Sequence, residues 1–239
     1  MRKFEVSFPY FLEYPIKIVV KKKNILGFFV WIFQKFGRKL LKEENILVTE
    51  RIVEIPNVYL LLDRFCKKGD EILEIGHVNS SLALELASLG YKVTAVDILD
   101  YPFEQRNLTG IKADFLKYNF GKRFKCIISV STIEHLGYNK RYGGAEEGQE
   151  DLDKFAFQKI KDLLDDGGKF IFSVPYAANY KEDVWFKVYT RKTIESILSQ
   201  YFGIDSKKYF AREDNQWQEV ADVNDDPEYP YDGVAIFLL

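Results

Sequence analysis

The residues of this chain best placed to do chemistry are one glycine turn, one spaced aspartate and two histidines. Glu74, Ile75, Gly76, His77, Val78, Asn79 and Ser80 follow one another where a short apolar strand, Glu71 to Ile75, gives way to a helix opening at about Ser80. A glycine there lets the backbone pass close to a ligand, and the free amides of a helix start suit a polar or anionic group. Asp97 comes 21 residues after Gly76, at the end of a second strand, Lys92 to Val96. At that spacing a carboxylate accepts hydrogen bonds from ribose hydroxyls. Strand, turn, helix, strand and acid in this order point to a nucleoside-binding crevice. His77 and His135 are the only histidines, and both fall in that crevice. An imidazole titrates near neutrality, which makes His135 a candidate base.

The elements that must position these groups alternate from residue 49 onward, the mark of a parallel sheet covered by helices. Thr49 to Phe65 places Ile52, Ile55, Tyr59 and Leu62 on one helical face, with Pro56 expected to kink or divide the helix. Lys125 to Val130 reads as a buried strand. A helix from about Glu150 to Leu164 stops at Gly167 and Gly168, and the strand Lys169 to Val174 follows. Thr190 to Tyr201 is a further helix. Lys207 to Ala211 and Gly233 to Leu239 are closing strands, with an exposed loop around Asp225, Asp226, Pro227 and Pro230. In a doubly wound sheet of this kind the crevice opens at the carboxyl ends of the strands.

The segments EILEIG, ELASLGYKVTAVDI, IKADFL, FKCIISVSTIEHLG and LLDDGGKFIFSVP together resemble the ordered motif series of class I S-adenosylmethionine-dependent methyltransferases, over residues 49 to about 200. More narrowly, TERIVEIP, STIEHLG followed by RYGG, and VYTRKTIESIL resemble a bacterial and archaeal methyltransferase-like group associated with surface-polysaccharide synthesis. The resemblance implies an α/β fold: a doubly wound, mostly parallel, seven-stranded Rossmann-like sheet with S-adenosylmethionine as cofactor. It implies that Glu74, Gly76 and His77 frame the methionine end of the cofactor, Asp97 and Ile98 the ribose and adenine, and Asp114 with Phe115 the adenine amino group and ring. Ser131, within Ser129 to Thr132, would line the floor beside the sulfonium. Glu134 and His135 would face the acceptor as the catalytic pair.

Arg141, Tyr142, Tyr176 and Arg191 follow the fourth and fifth strands and are the acceptor-side candidates, the arginines suited to grip phosphate or carboxylate. No metal is expected, because Ser131 stands where metal-binding relatives with a Glu-His pair carry a further glutamate. The chain departs from the family at Val78 and Ser80, where the pattern has glycines, and bulk there crowds the methionine carboxylate. The implied function is O-methylation of a sugar, glycan-related or other small-molecule hydroxyl. The alternative is a degenerate relative that serves as a partner-binding or membrane-docked scaffold. A dinucleotide oxidoreductase is disfavoured, because its pyrophosphate needs three glycines and this turn has one.

Composition frames the rest. At 239 residues, 47% hydrophobic and 29% charged, the chain has the make-up of a globular protein. Cys66 and Cys126 alone form no disulfide framework; they read as buried thiols in a reducing cytoplasm. The net charge of −2 conceals a basic amino-terminal segment, residues 1 to 42, on an acidic body. Inside that segment Ile25 to Phe33 is an apolar run flanked by Lys21 to Lys23 and by Lys35, Arg38 and Lys39. It is far shorter than the about 20 residues that span a bilayer. It is expected either to pack on the domain or a second subunit, or to lie at the inner membrane surface. Residues 1 to 48 thus form a basic and aromatic extension and 49 to 239 the methyltransferase-like domain, with a small-molecule or glycan acceptor and no nucleic acid as partner.

Overall fold

The computed structural model describes residues 48–77, 80–137, 152–179, 181–182, 186–214, 216–221 and 233–239. The amino-terminal extension up to residue 47, Val78, Arg141, Tyr142 and the loop around Pro227 lie outside them.

Strands β1 (Glu71–Ile75), β2 (Lys92–Asp97), β3 (Leu108–Lys112), β4 (Phe124–Val130) and β5 (Leu164–Pro175) run parallel. A separate two-stranded ribbon pairs β6 (Lys181–Glu182) with β7 (Lys187–Val188). Strands β8 (Ser206–Glu213), β9 (Gln216–Val220) and β10 (Gly233–Leu238) complete the main sheet in the order β3-β2-β1-β4-β5-β10-β8-β9. Strand β10 lies antiparallel to both its neighbours. Beside the six strands the sequence marks, the sheet holds β3, making the seven that the resemblance implies, and β9 adds an eighth by a hairpin onto β8.

The inner strands are apolar on both faces. Along β1, Ile72 belongs to one core and Leu73 to the other. Helices α1 (Arg51–Leu62) and α2 (Leu82–Leu89) supply Val58, Leu61, Leu62, Leu82 and Leu86 to the first face. Helices α3 (Leu152–Leu163) and α4 (Arg191–Leu198) supply Phe157, Ile160, Ile194 and Leu198 to the second. This is the covered parallel sheet that strands hydrophobic on both sides require.

Three local expectations change. Helix α1 runs unbroken through Pro56, with the Asn57 side chain donating to the Val53 carbonyl at 2.8 Å in the turn that the proline loosens. Its inward face is Glu54, Asn57, Val58, Leu61 and Leu62, whereas Ile52 is 59% exposed. Glu54, rather than Ile52, takes the inward position in the first turn. Strand β5 starts at Leu164, ahead of the glycines, and its pairing with β4 shifts register between Phe124 and Cys126. Gly167, at φ +68°, makes that irregularity tolerable.

Candidate functional site

The carboxyl ends of β1, β2 and β3 lie side by side. Gly76 continues the ladder past β1, its amide donating to the Val96 carbonyl at 2.9 Å, and the Ala113 amide donates to the Asp97 carbonyl at 2.7 Å. Those two bonds align Gly76, Asp97 and Asp114 along one rim. Asp97 Oδ1 accepts from the Leu99 amide at 3.0 Å, folding the chain through half-buried Ile98. Asp114 Oδ1 accepts from the Leu116 amide at 2.9 Å, and Oδ2 is 3.3 Å from Lys117 Nζ. Phe115 turns inward: its ring is buried beside Phe120 under Lys159 Nζ, 5.3 Å from the centroid. Only its backbone faces the rim.

Glu74 is buried at the end of β1. Its Oε1 accepts from Ser80 Oγ at 3.2 Å, while Oε2 has no hydrogen-bond partner among the described residues. Burial pushes its carboxyl up to about 7, against the pull of the Ser80 hydroxyl and the Ala83 amide. Ser80, one of the two departures from the family pattern, also accepts from the Leu82 amide at 3.1 Å. It thereby ties Glu74 to the start of α2. His77 is buried, with Nε2 unpartnered among the described residues and its ring edge-on to Tyr101 at 4.4 Å between centroids. Burial holds its titration below the usual histidine range, against the pull of Asp97 and Asp100.

Gly76 sits at φ +80°, and a Cβ there would stand 2.2 Å from the Thr132 side chain. The space beside this glycine therefore holds the turn after β4. In that turn Ser131 has φ +43°, a conformation serine rarely adopts. Its amide donates to the Ser173 carbonyl and Oγ, at 3.2 and 3.1 Å. The turn closes in a single 3-10 coil, Ile133–His135. Glu134 is 1% exposed, with Oε2 unpartnered among the described residues, and burial, aided by the nearby charge of Glu54, pushes its carboxyl well above the usual range. His135 is partly exposed, with Nε2 3.9 Å from Glu134 Oε1 and its ring edge-on to Phe186 at 5.8 Å.

A small pocket of about 90 Å³ opens here, with Glu50, Arg51, Ser131, Glu134 and His135 as its polar lining and Pro175, Phe186 and Val234 among its apolar walls. Room for a few atoms suits one functional group of a larger molecule. Tyr176 and Arg191 do not line it. Tyr176 is buried against Tyr209 at 4.7 Å, and the Arg191 guanidinium lies over the same Tyr209 ring at 5.5 Å. Glu50, Arg51 and Glu54 were not among the sequence candidates. Helical spacing from Ile52 gives no hint of them, although they sit in the TERIVEIP segment that carries part of the family resemblance.

A parallel run β3-β2-β1-β4-β5, a reversed strand beside β5, and acidic residues at the ends of β1, β2 and beyond β3 define the class I methyltransferase fold. No family model matches the chain, and no curated protein matches it in sequence. Solved structures match it in fold. The N-methyltransferase NodS from Bradyrhizobium japonicum WM9, in complex with S-adenosylhomocysteine, is 15% identical with a TM-score of 0.52 over 86% of this chain and 96% of that one. The 1,6-didemethyltoxoflavin-N1-methyltransferase of Burkholderia thailandensis is 12% identical, with a TM-score of 0.54 over 98% of each chain. The glycopeptide N-methyltransferase MtfA is 12% identical, with a TM-score of 0.51 over 78% of this chain and 90% of that one.

Proposed function

We propose that this protein is an S-adenosylmethionine-dependent methyltransferase acting on a hydroxyl of a sugar, glycan precursor or other small molecule. The observation that carries the reading is the rim itself: buried Glu74 with a free oxygen, then Asp97, then Asp114, along the ends of three adjacent strands. These residues fit the cofactor's polar groups. Glu74 Oε2 would accept from the methionine ammonium, Asp97 from the ribose hydroxyls, and Asp114 with the Phe115 amide would meet the adenine edge. When bound, the cofactor supplies a methyl group on a positively charged sulfur, which is already a strong electrophile. Alignment then contributes most of the rate, and one base suffices for a hydroxyl. His135, at the mouth of the small pocket, takes the proton as the acceptor oxygen is methylated, and Glu134 lies beside it. The narrower link to surface-polysaccharide synthesis rests on the STIEHLG, RYGG and VYTRKTIESIL segments.

The proposal extends to place and partner: a cytoplasmic enzyme whose basic residues 1 to 42 touch the inner membrane surface or a second copy of the chain. Among the described residues no helix is long and apolar enough to cross a membrane. Calorimetric titration with S-adenosylmethionine and S-adenosylhomocysteine is the first test, with micromolar binding expected. An absence of binding at millimolar ligand sinks the enzyme and leaves the scaffold. Transfer of labelled methyl to nucleotide sugars, glycans and amines follows. Transfer to amines alone, as the names of the structural neighbours suggest, replaces the hydroxyl as acceptor class.

A further inference from the structure

The turn that carries Glu134 and His135 is tied down by a carboxylate from another element. Glu54, on α1, is completely buried. Its Oε1 accepts from Ser131 Oγ at 2.5 Å and from Ser173 Oγ at 2.6 Å, and its Oε2 accepts from Arg51 Nη1 at 2.9 Å. One side chain thus joins the helix before β1, the turn after β4 and the carboxyl end of β5. Burying a carboxylate is costly even when it is paired, and an apolar side chain of the same size would fill the space at less cost. A hydrogen-bond set that ties Ser131, in a left-handed conformation, to Ser173 and Arg51 is what a packing role alone would not need.

We infer that Glu54 is a positioning residue, which locks the Ser131–His135 turn and holds Arg51 at the rim of the pocket, so that Glu134 and His135 face the acceptor. Its meaning for catalysis rests on the methyltransferase reading; its geometry does not. Both seryl bonds go to one oxygen, so Glu54→Gln keeps them through its amide oxygen and loses only the pairing with Arg51. Glu54→Leu loses all three. Ser131→Gly is the independent variant: glycine adopts φ +43° without strain yet has no hydroxyl for Glu54.

The test uses the full chain with labelled histidine, whose two residues give few enough ring signals to follow by nuclear magnetic resonance, a His135→Gln sample marking which are which. The wild type and Glu54→Gln should each show one set of His135 signals. Glu54→Leu and Ser131→Gly should show shifted or multiple His135 signals and a moved His135 titration, with the His77 signals in place. Ser131→Gly should do so while its thermal midpoint holds or rises, a combination that a merely structural role does not produce. His135 signals unchanged in Ser131→Gly overturn the inference, whether or not Glu54→Leu folds. S-adenosylhomocysteine titrated into the same samples separates the two readings. A wild type that does not bind it sinks the methyltransferase reading, while the His135 spectra still judge the positioning. Once an acceptor is in hand, Ser131→Gly should lower kcat about tenfold or more.

Discussion

Glu74 is a carboxyl group whose ionisation the fold opposes, and that opposition is measurable. Below pH 4.5 it is protonated in the folded and the unfolded chain alike. Between 4.5 and about 7 the unfolded chain ionises while the folded one stays protonated, so stability falls as pH rises and levels off above about 7. At 1.36 kcal/mol per unit the loss from Glu74 is about 3 kcal/mol, and Glu54 and Glu134 act in the same direction. Urea denaturation across that range should show the fall, and Glu74→Gln should reduce it. An ammonium group binding Glu74 Oε2 favours the carboxylate, so S-adenosylmethionine should release a proton near pH 6. Calorimetry in buffers of different ionisation heat reads that release directly.

Gly76 gives a second prediction at the same scale. Gly76→Ala puts a methyl group into the Thr132 side chain at positive φ and should cost about 2 kcal/mol or more. Adding Thr132→Gly should restore part of it, as a double-mutant cycle by urea denaturation would show. The places of Gly76 at a turn and of Asp97 at a strand end were legible in the sequence because they depend on local order: a strand end, a turn, a helix start. Glu54 was not. Its partners Ser131 and Ser173 lie 77 and 119 residues away, and a glutamate among apolar residues reads locally as a solvent-facing position. The same limit applies to Tyr176, placed on the acceptor side by its position after β5 but turned into the core by the antiparallel strand that packs there.

Elements were legible where one periodicity ruled. Strands β1, β2 and β10 and helix α2, closed by Gly90 at φ +101°, follow their sequence patterns to within two residues. Strand β5 began earlier than its glycines suggested because β4 offers pairing partners on both sides of a bulge. Strand β9 was missed altogether, its side chains alternating too weakly and too exposed to mark a strand without β8 beside it. Helix α3 shows what an element contributes energetically. Phe157 on it is fully buried, with ring centroids of Phe170 and Phe172 at 6.3 and 5.6 Å. Phe157→Ala should cost about 3 to 5 kcal/mol in chemical denaturation, with α3 amides losing hydrogen-exchange protection first.

For the whole molecule the sheet order sets where chemistry can occur. The chain leaves β1 toward β2 on one side and reaches β4 on the other, so the rim and the small pocket flank the strand at which the winding reverses. That much follows from alternating elements alone. Charge offers a test of the basic amino-terminal segment, residues 1 to 42. If its basic residues meet a membrane, the full chain should float with anionic vesicles at low salt and be released as ionic strength screens the contact, whereas a chain beginning at residue 43 should stay behind at both.

Strand β10 lies between β5 and β8, pairing with one through Val234 to Leu238 and with the other through Gly233 to Leu238. It is an interior strand of the sheet, yet it follows β8 and β9 in the sequence. Until it emerges from the ribosome, β5 presents an open edge flanked by Phe170, Phe172 and Val174, all of them fully buried in the finished protein. Such an edge invites pairing with other chains. Nascent chains halted before residue 233 should therefore be sensitive to protease and held by chaperones, and become resistant once β10 is released to close the gap.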